Sequence, residues 1–252
     1  MAITLDSMTN VAMLNQGSGT FATAGVSHVA DVLAQANKRV EQKLDATKVQ
    51  LSAFGQINSG FADVQSASKA LSDPKKTGTA TDVEKTVQAF AAAFNNAAKT
   101  VSTAINGMGK ESGVLANDVH ARLAANDLKS VVTSGSNTAD LKKIGISMNK
   151  DGTMSVDAKA LQSAIQANPD AVKDILANVG QQAEQVSTKD LAKTGNIGGA
   201  VNTLSGRAKS LETQSAEQQK LASASQAAVQ QQSAKMGSAT SSIAAYMQMF
   251  SL

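Results

Sequence analysis

The chain has 252 residues, a net charge of +3, two prolines, no cysteine, no tryptophan and only 3% aromatic residues. That length suits one or two domains. The lack of cysteine excludes disulfides and thiol chemistry. The thin charge, with only the pairs Lys38-Arg39, Lys75-Lys76 and Lys142-Lys143 and no basic stripe interleaved with aromatics, argues against nucleic acid as a partner. No apolar run is long enough to span a membrane.

In chain order, residues 1–27 read as a flexible arm. They are polar and hold Gly17, Gly19 and Gly25, yet carry scattered apolar residues from Ile3 to Phe21. They lack the basic region and continuous apolar stretch of a secretory signal. The first long helix is expected from His28 to Leu71, because Val40, Leu44, Thr47, Leu51, Phe54, Ile57, Phe61, Val64 and Leu71 mostly follow three-four spacing. Gly55 and Gly60 inside it, each costing about 1 kcal/mol relative to alanine, suggest a bend or a close crossing. Ser72–Gly78 ends the helix.

Thr81-Asp-Val-Glu84 has the pattern of a capping box and should open the second helix. Val83, Val87, Phe90, Phe94, Ala98, Val101 and Ile105 give that helix one apolar face, and Asn106-Gly107 stops it. Two long helices on a short link should pack antiparallel. A third helix is expected over about 114–132, with Leu115, Val119, Leu123, Leu128, Val131 and Val132 as its apolar residues. Residues 133–138 read as a loop. The period then changes to two: Ile144–Met148 and Met154–Val156 alternate about Asn149–Gly152, a β-hairpin signal. Asp157 should cap a short helix through Ile165. Asn168 should cap the next, with Pro169 at its first position, where the missing N–H costs nothing. That helix is read through Leu176, and Gly195 to Gly199 set off the last element.

Residues 197–252 fit one long helix. A seam runs through Ile197, Val201, Leu204, Ala208, Leu211, Ser215, Ala222, Ser225, Val229, Met236, Ala239, Ile243, Tyr246 and Phe250, interrupted only by Gln218 and Gln232. This 3.5-residue period belongs to a helix packed along another helix. At about 1.5 Å per residue the helix would reach roughly 80 Å, so it must lie along the N-terminal helix or another copy of the chain. The middle of the seam is Ser-, Ala- and Gln-rich and weak. The strong apolar residues return only at the end, where Ile243, Tyr246, Met247 and Phe250 share one face. These four, with Phe54 and Phe61, are the candidate self-assembly and partner residues.

Chemical constellations are missing. Two histidines, His28 and His120, and no cysteine make a metal cluster hard to build. Asn149–Asp157 resembles a calcium loop faintly but puts Ala158 where the bidentate acid belongs, so a turn followed by a helix cap is the better account. Gly107–Gly113 has the wrong glycine spacing for a phosphate loop. The chain is therefore expected not to be an enzyme, with no catalytic residue, cofactor or metal. Its expected fold class is mainly α. The N- and C-terminal helices should form a long coiled-coil-like bundle, in three regions: the arm at 1–27, a helical stalk at 28–196 with its hairpin near 144–156, and the C-terminal helix at 197–252 packed on the N-terminal one.

Several of these segments resemble the bacterial flagellar filament cap protein family, hook-associated protein 2. The matching residues are Ile144-Gly-Ile146, Asp151-Gly152, Asp157, Leu161, Asn168-Pro169 and Val172, which look like the family's C-terminal signature. Upstream, Phe90 with Phe94-Asn95 resembles its F-x-x-x-[YF]-N helix. Gly113, Leu115 and Asp118 resemble G-x-L-x-x-D, and Leu51-Ser-Ala-Phe-Gly55 resembles L-S-x-x-G. The likeness covers about 40–252 in the family's order. It implies an exported, extracellular structural protein of the flagellum that caps the filament tip as a homo-oligomeric ring of about five. Flagellin, hook–filament junction proteins and an export chaperone are the implied partners. Such a chain leaves the cell unfolded through the flagellar type III route and assists flagellin incorporation. A hook–filament junction protein or minor filament subunit, or an exported adhesin or binding module, are the other classes of function. One departure stands out: the family inserts two β-rich domains where this chain has only Ser72 to Ala80.

Overall fold

The computed structural model describes the backbone from Phe21 to Met249, apart from Pro74, Gly109, Lys110 and Ser136, and side chains from Asp31 to Lys235 except at those positions and Ser233. In chain order the elements are α1 (Phe21–Ser72), α2 (Ala80–Asn106), α3 (Val119–Thr133), α4 (Asn137–Lys143), β1 (Ile146–Met148), β2 (Met154–Val156), α5 (Ala158–Ala167), α6 (Pro169–Leu191) and α7 (Asn196–Met249). The fold is mainly α with one small antiparallel hairpin, as the periodicities require. Helix α1 begins at Phe21 rather than at His28, so Gly25 is carried inside a helix. A single glycine weakens a helix by about 1 kcal/mol without ending it. The rest of the expected arm, residues 1–20, lies outside the described residues.

The chain divides into two compact units, residues 46–208 and residues 1–45 with 209–252. The first holds the apolar core. Along α1, Phe54, Ile57, Phe61 and Val64 are fully buried. They share a cluster with Val83, Val87, Phe90, Phe94 and Val101 of α2 and Leu128, Val131 and Val132 of α3. Leu161 and Ile165 of α5 and Val172, Leu176 and Val179 of α6 complete it. Of the two glycines inside α1, Gly60 marks a close crossing: a Cβ there would sit 3.2 Å from the Ala97 Cα of α2. Gly55 would meet nothing within 4 Å and is simply a weak turn.

Four helix starts in this unit have a local cause. Helix α2 is capped by Thr79, not Thr81. The Thr79 hydroxyl accepts the Asp82 N–H at 3.2 Å, and the Asp82 carboxylate takes both the Thr79 N–H and hydroxyl. The same T-x-x-acid spacing occurs two residues later, but Thr81 is already inside the helix. The Thr79 hydroxyl holds the Asp82 carboxyl below the usual carboxylate range. Helix α3 starts at Val119, later than 114, because Asp118 accepts the Ala121 N–H at 2.9 Å and the chain before it is turned back by Ala116 N–H to Gly113 O and Asp118 N–H to Leu115 O. Asp157 and Asn168 cap α5 and α6 as expected.

Three features escaped the sequence reading. Residues 137–143, within and beyond the expected loop, form α4, whose Asn137 donates to Val131 O and Gln182 Oε1. Helix α6 does not stop at Leu176 but runs to Leu191. Its second half buries Val179, Gly180, Ala183, Ser187 and Asp190, a face too small and polar to announce itself. Gly198 and Gly199 lie inside α7, and only Gly195 belongs to the preceding turn.

The second unit is built from the outer stretches of α1 and α7. Leu33, Ala36, Val40 and Leu44 are shielded on α1. On α7, Leu211 and Ser215 are buried and Ala222, Ser225 and Val229 half-buried, so as far as Val229 the seam read from the sequence is the shielded face; its remainder from Met236 lies outside the residues whose side chains are described. Ser215 Oγ donates to Asn37 Oδ1 at 3.2 Å, while Asn37 Nδ2 donates to Glu41. One side-chain hydrogen bond thus links α1 and α7 in this unit. Gln218, an interruption of the seam, points a buried Oε1 that has no hydrogen-bond partner among the described residues.

Candidate assembly surface

The six residues expected to serve assembly separate into two groups. Phe54 and Phe61 are completely buried inside residues 46–208, where they pack α1 onto the core. Their spacing identified a packed face correctly, but the chain's own helices cover that face. Ile243, Tyr246, Met247 and Phe250 lie outside the residues whose side chains are described.

The motif residues converge on the hairpin. Met148 and Met154 face each other next to Asn149–Thr153, which shares a ladder hydrogen bond of 2.7 Å. In an antiparallel ladder bonded and non-bonded pairs alternate, so the N–H and C=O of Met154 point away from β1. Asn95 takes both: Met154 N–H donates to its Oδ1 at 2.6 Å, and its Nδ2 donates to Met154 O at 2.8 Å. One side-chain amide on α2 therefore serves as a one-residue third strand. Phe90 and Phe94, buried beside it with ring centroids 6.2 Å apart, anchor the same helix face. This explains the spacing of two aromatics followed by asparagine. Glycine is needed at 113 because a Cβ there would lie 2.2 Å from Ala104 O, while Leu115 N–H bonds that same carbonyl at 2.8 Å. Leu115 is then buried and Asp118 caps α3.

At the hairpin turn, Asp151 Oδ1 accepts from Thr153 N–H at 3.0 Å and Thr153 Oγ1 at 2.6 Å. Those bonds hold its carboxyl below the usual range and use the oxygen that a calcium loop would offer to a cation. Among the described residues no three His, Cys, Asp or Glu side chains are grouped to hold a metal. Likewise no described helix is long and apolar enough to cross a membrane.

Apolar residues do remain exposed, in places the sequence reading did not assign to assembly. Met108 is 79% exposed, with Val49 and Val114 about half exposed; all three line one groove of about 620 Å³ with Gln56, Lys99 and Glu111. On α3, Val119 and Leu123 are 64% and 44% exposed, although their spacing had placed them on the buried face. Val119 and Leu123 are nine and five positions before the buried Leu128, off its side of a 3.6-residue helix, whereas Ala121, Ala124 and Leu128 share one face and go inward. Met108, an apolar residue between two loop glycines, was the available sequence signal.

No curated protein matches the chain. Residues 66–245, well over half of it, match the family model for the flagellar hook-associated protein 2 C-terminus. The match takes in α2, the Asn95-pinned hairpin, α5, α6 and most of α7, and so contains every resemblance noted above except that of Leu51–Gly55. The chain therefore belongs to the flagellar hook-associated protein 2 family, the structural family of filament caps, and carries the C-terminal region of that family.

Proposed function

We propose that this protein is a short cap-type assembly protein of the flagellar filament. It sits at the distal tip as a closed homo-oligomer, a ring of about five, and helps flagellin subunits into place. Hook–filament junction proteins and an export chaperone are its other partners, and it reaches the tip by flagellar type III export. The observation that carries the reading is the family match across the helical unit and α7. Two features of the molecule support it. The α1–α2 connection is a tight turn, with Lys76 N–H on Asp73 O at 2.9 Å, so this chain is a stalk without a plate inserted there. Apolar residues such as Met108, Val119 and Leu123 stand exposed on that stalk, as a subunit with neighbours requires.

The face bearing Ile243, Tyr246, Met247 and Phe250 is the proposed main contact. Burying one such side chain contributes about 1.5–3 kcal/mol. Four together outweigh association costs of several kcal/mol, which the Ser- and Gln-rich seam before them cannot. The test is complementation of a deletion strain. The full chain is expected to restore filaments and to label their distal tip with antibody. A chain lacking 243–252 is expected to be secreted and folded, with flagellin lost to the medium. Normal filaments without the gene, or full rescue by the truncated chain, would refute the reading. Labelling at the filament base would favour a junction protein instead.

A further inference from the structure

Asp190 is the least accounted-for charged group in the chain. It lies in the last turn of α6, is completely buried, and its Oδ2 has no hydrogen-bond partner. Its Oδ1 accepts from Asn196 Nδ2, in the first turn of α7, at 2.8 Å. The same nitrogen reaches Asp127 Oδ2 of α3 at 3.2 Å. Two carboxyl groups from different helices thus meet on one amide. Among the described residues the cation at the cluster is Lys189, which sits 2.9 Å from Asp127 and pairs with it, not with Asp190. The charged groups that act on Asp190 are Asp127 from α3 and Lys189 from its own helix; α7 contributes only the neutral Asn196. A buried, uncompensated carboxylate is costly, and more so at a helix C-terminus, where the dipole is negative. The Ala192–Gly195 turn between the two helices leaves no slack. Gly195 N–H bonds Ala192 O at 2.8 Å, and a Cβ on Gly195 would lie 2.0 Å from Lys189 O.

We propose that the Asp127–Asp190 pair is a proton-operated latch at the α6–α7 joint: one proton between the two carboxyls holds the end of α6 to α3 and lets Asn196 at the start of α7 bridge them both, and its loss loosens the joint. The proton resides on Asp190, whose Oδ1 is taken by Asn196 and whose Oδ2 is free to carry it. Burial first, then the Asp127 charge, raises the Asp190 carboxyl to about 6. The sign follows. An acid raised in the folded state is protonated there while the opened joint, at its ordinary 3.8, is ionised. Protection of the joint is therefore greatest in acid, is lost as pH rises from 3.8 to about 6, and is level above that. Asp82 and Asp151, both lowered, act below this window and do not mask it. The latch depends on the joint alone and is independent of the cap role.

The test is carboxyl carbon NMR on full-length protein labelled at aspartate, with amide hydrogen exchange over 195–201. One carboxyl is expected to titrate near pH 6 and to vanish in Asp190→Asn, which keeps a donor and an acceptor in place. Amide protection, corrected for intrinsic exchange, is expected to rise about tenfold from pH 7.5 to pH 5.0 in the natural chain and to stay flat in the variant. Asp127→Asn is expected to lower the midpoint. If no carboxyl in the natural chain titrates above pH 5, the latch is wrong, whether or not the variants fold. The same pH dependence in Asp190→Asn would overturn it as well.

Discussion

Replacing Asn95 with alanine tests the central claim about the hairpin. The side chain of Asn95 makes two hydrogen bonds to Met154, whose residue is only 4% exposed. The register leaves the Met154 N–H and C=O no partner on β1, and water has little access to take over. Each lost bond removes about 0.5–1.5 kcal/mol net, and each stranded buried group costs about 1–3 kcal/mol, so a total near 3 kcal/mol is reasonable. In a unit of this size each kcal/mol moves the melting midpoint by about 2–4 °C, which gives a fall of about 6–12 °C. The assay is a calorimetric melt, with hydrogen exchange at the Met154 amide as the local readout. Asn96→Ala, an exposed neighbour on the same helix, is the control and should move the midpoint by about 1 °C or less. Asn95→Asp keeps the acceptor but sets a carboxylate against Met154 O, and should also destabilise at neutral pH. If Asn95→Ala melts with Asn96→Ala, or the Met154 amide stays protected, the hairpin is held by its apolar side chains and the amide is incidental.

Two further substitutions separate competing readings of local structure. Thr79→Ala should cost about 1 kcal/mol through loss of the α2 cap, whereas Thr81→Ala should be neutral within about 0.5 kcal/mol; reversed values in urea melts would restore Thr81 as the cap. Gly55→Ala should stabilise by up to about 1 kcal/mol, since its Cβ meets nothing. Gly180→Ala should destabilise, because its Cβ would lie 2.7 Å from Ser68 O on the facing helix. Equal effects from the two would remove the distinction between an open glycine and a crossing one.

What the sequence determined by itself was local. Apolar spacing fixed which face of each long helix is shielded, and the α7 seam from Ile197 to Val229 is the face that is buried or half-buried. Short-range rules placed the Asp157 and Asn168 caps, the Gly107 stop and the hairpin about Asn149–Gly152, though its first strand starts at Ile146 and not Ile144, because each depends on atoms within a few residues. Motif order carried the family. Only the tertiary structure decided what covers each face. Phe54 and Phe61 proved to be core because α2 packs over them, while Val119 and Leu123 proved exposed because α3 turns the face of Ala121, Ala124 and Leu128 inward. The second half of α6 was illegible, since Gly180, Ala183 and Ser187 signal burial only once a neighbouring helix comes close. Asn95 and Asp190 read as ordinary helical polar residues. Asn95 acts through Met154, 59 residues along the chain, and Asp190 meets Asp127 on the Asn196 amide, which is 69 residues from Asp127; no local pattern records a distance across the fold.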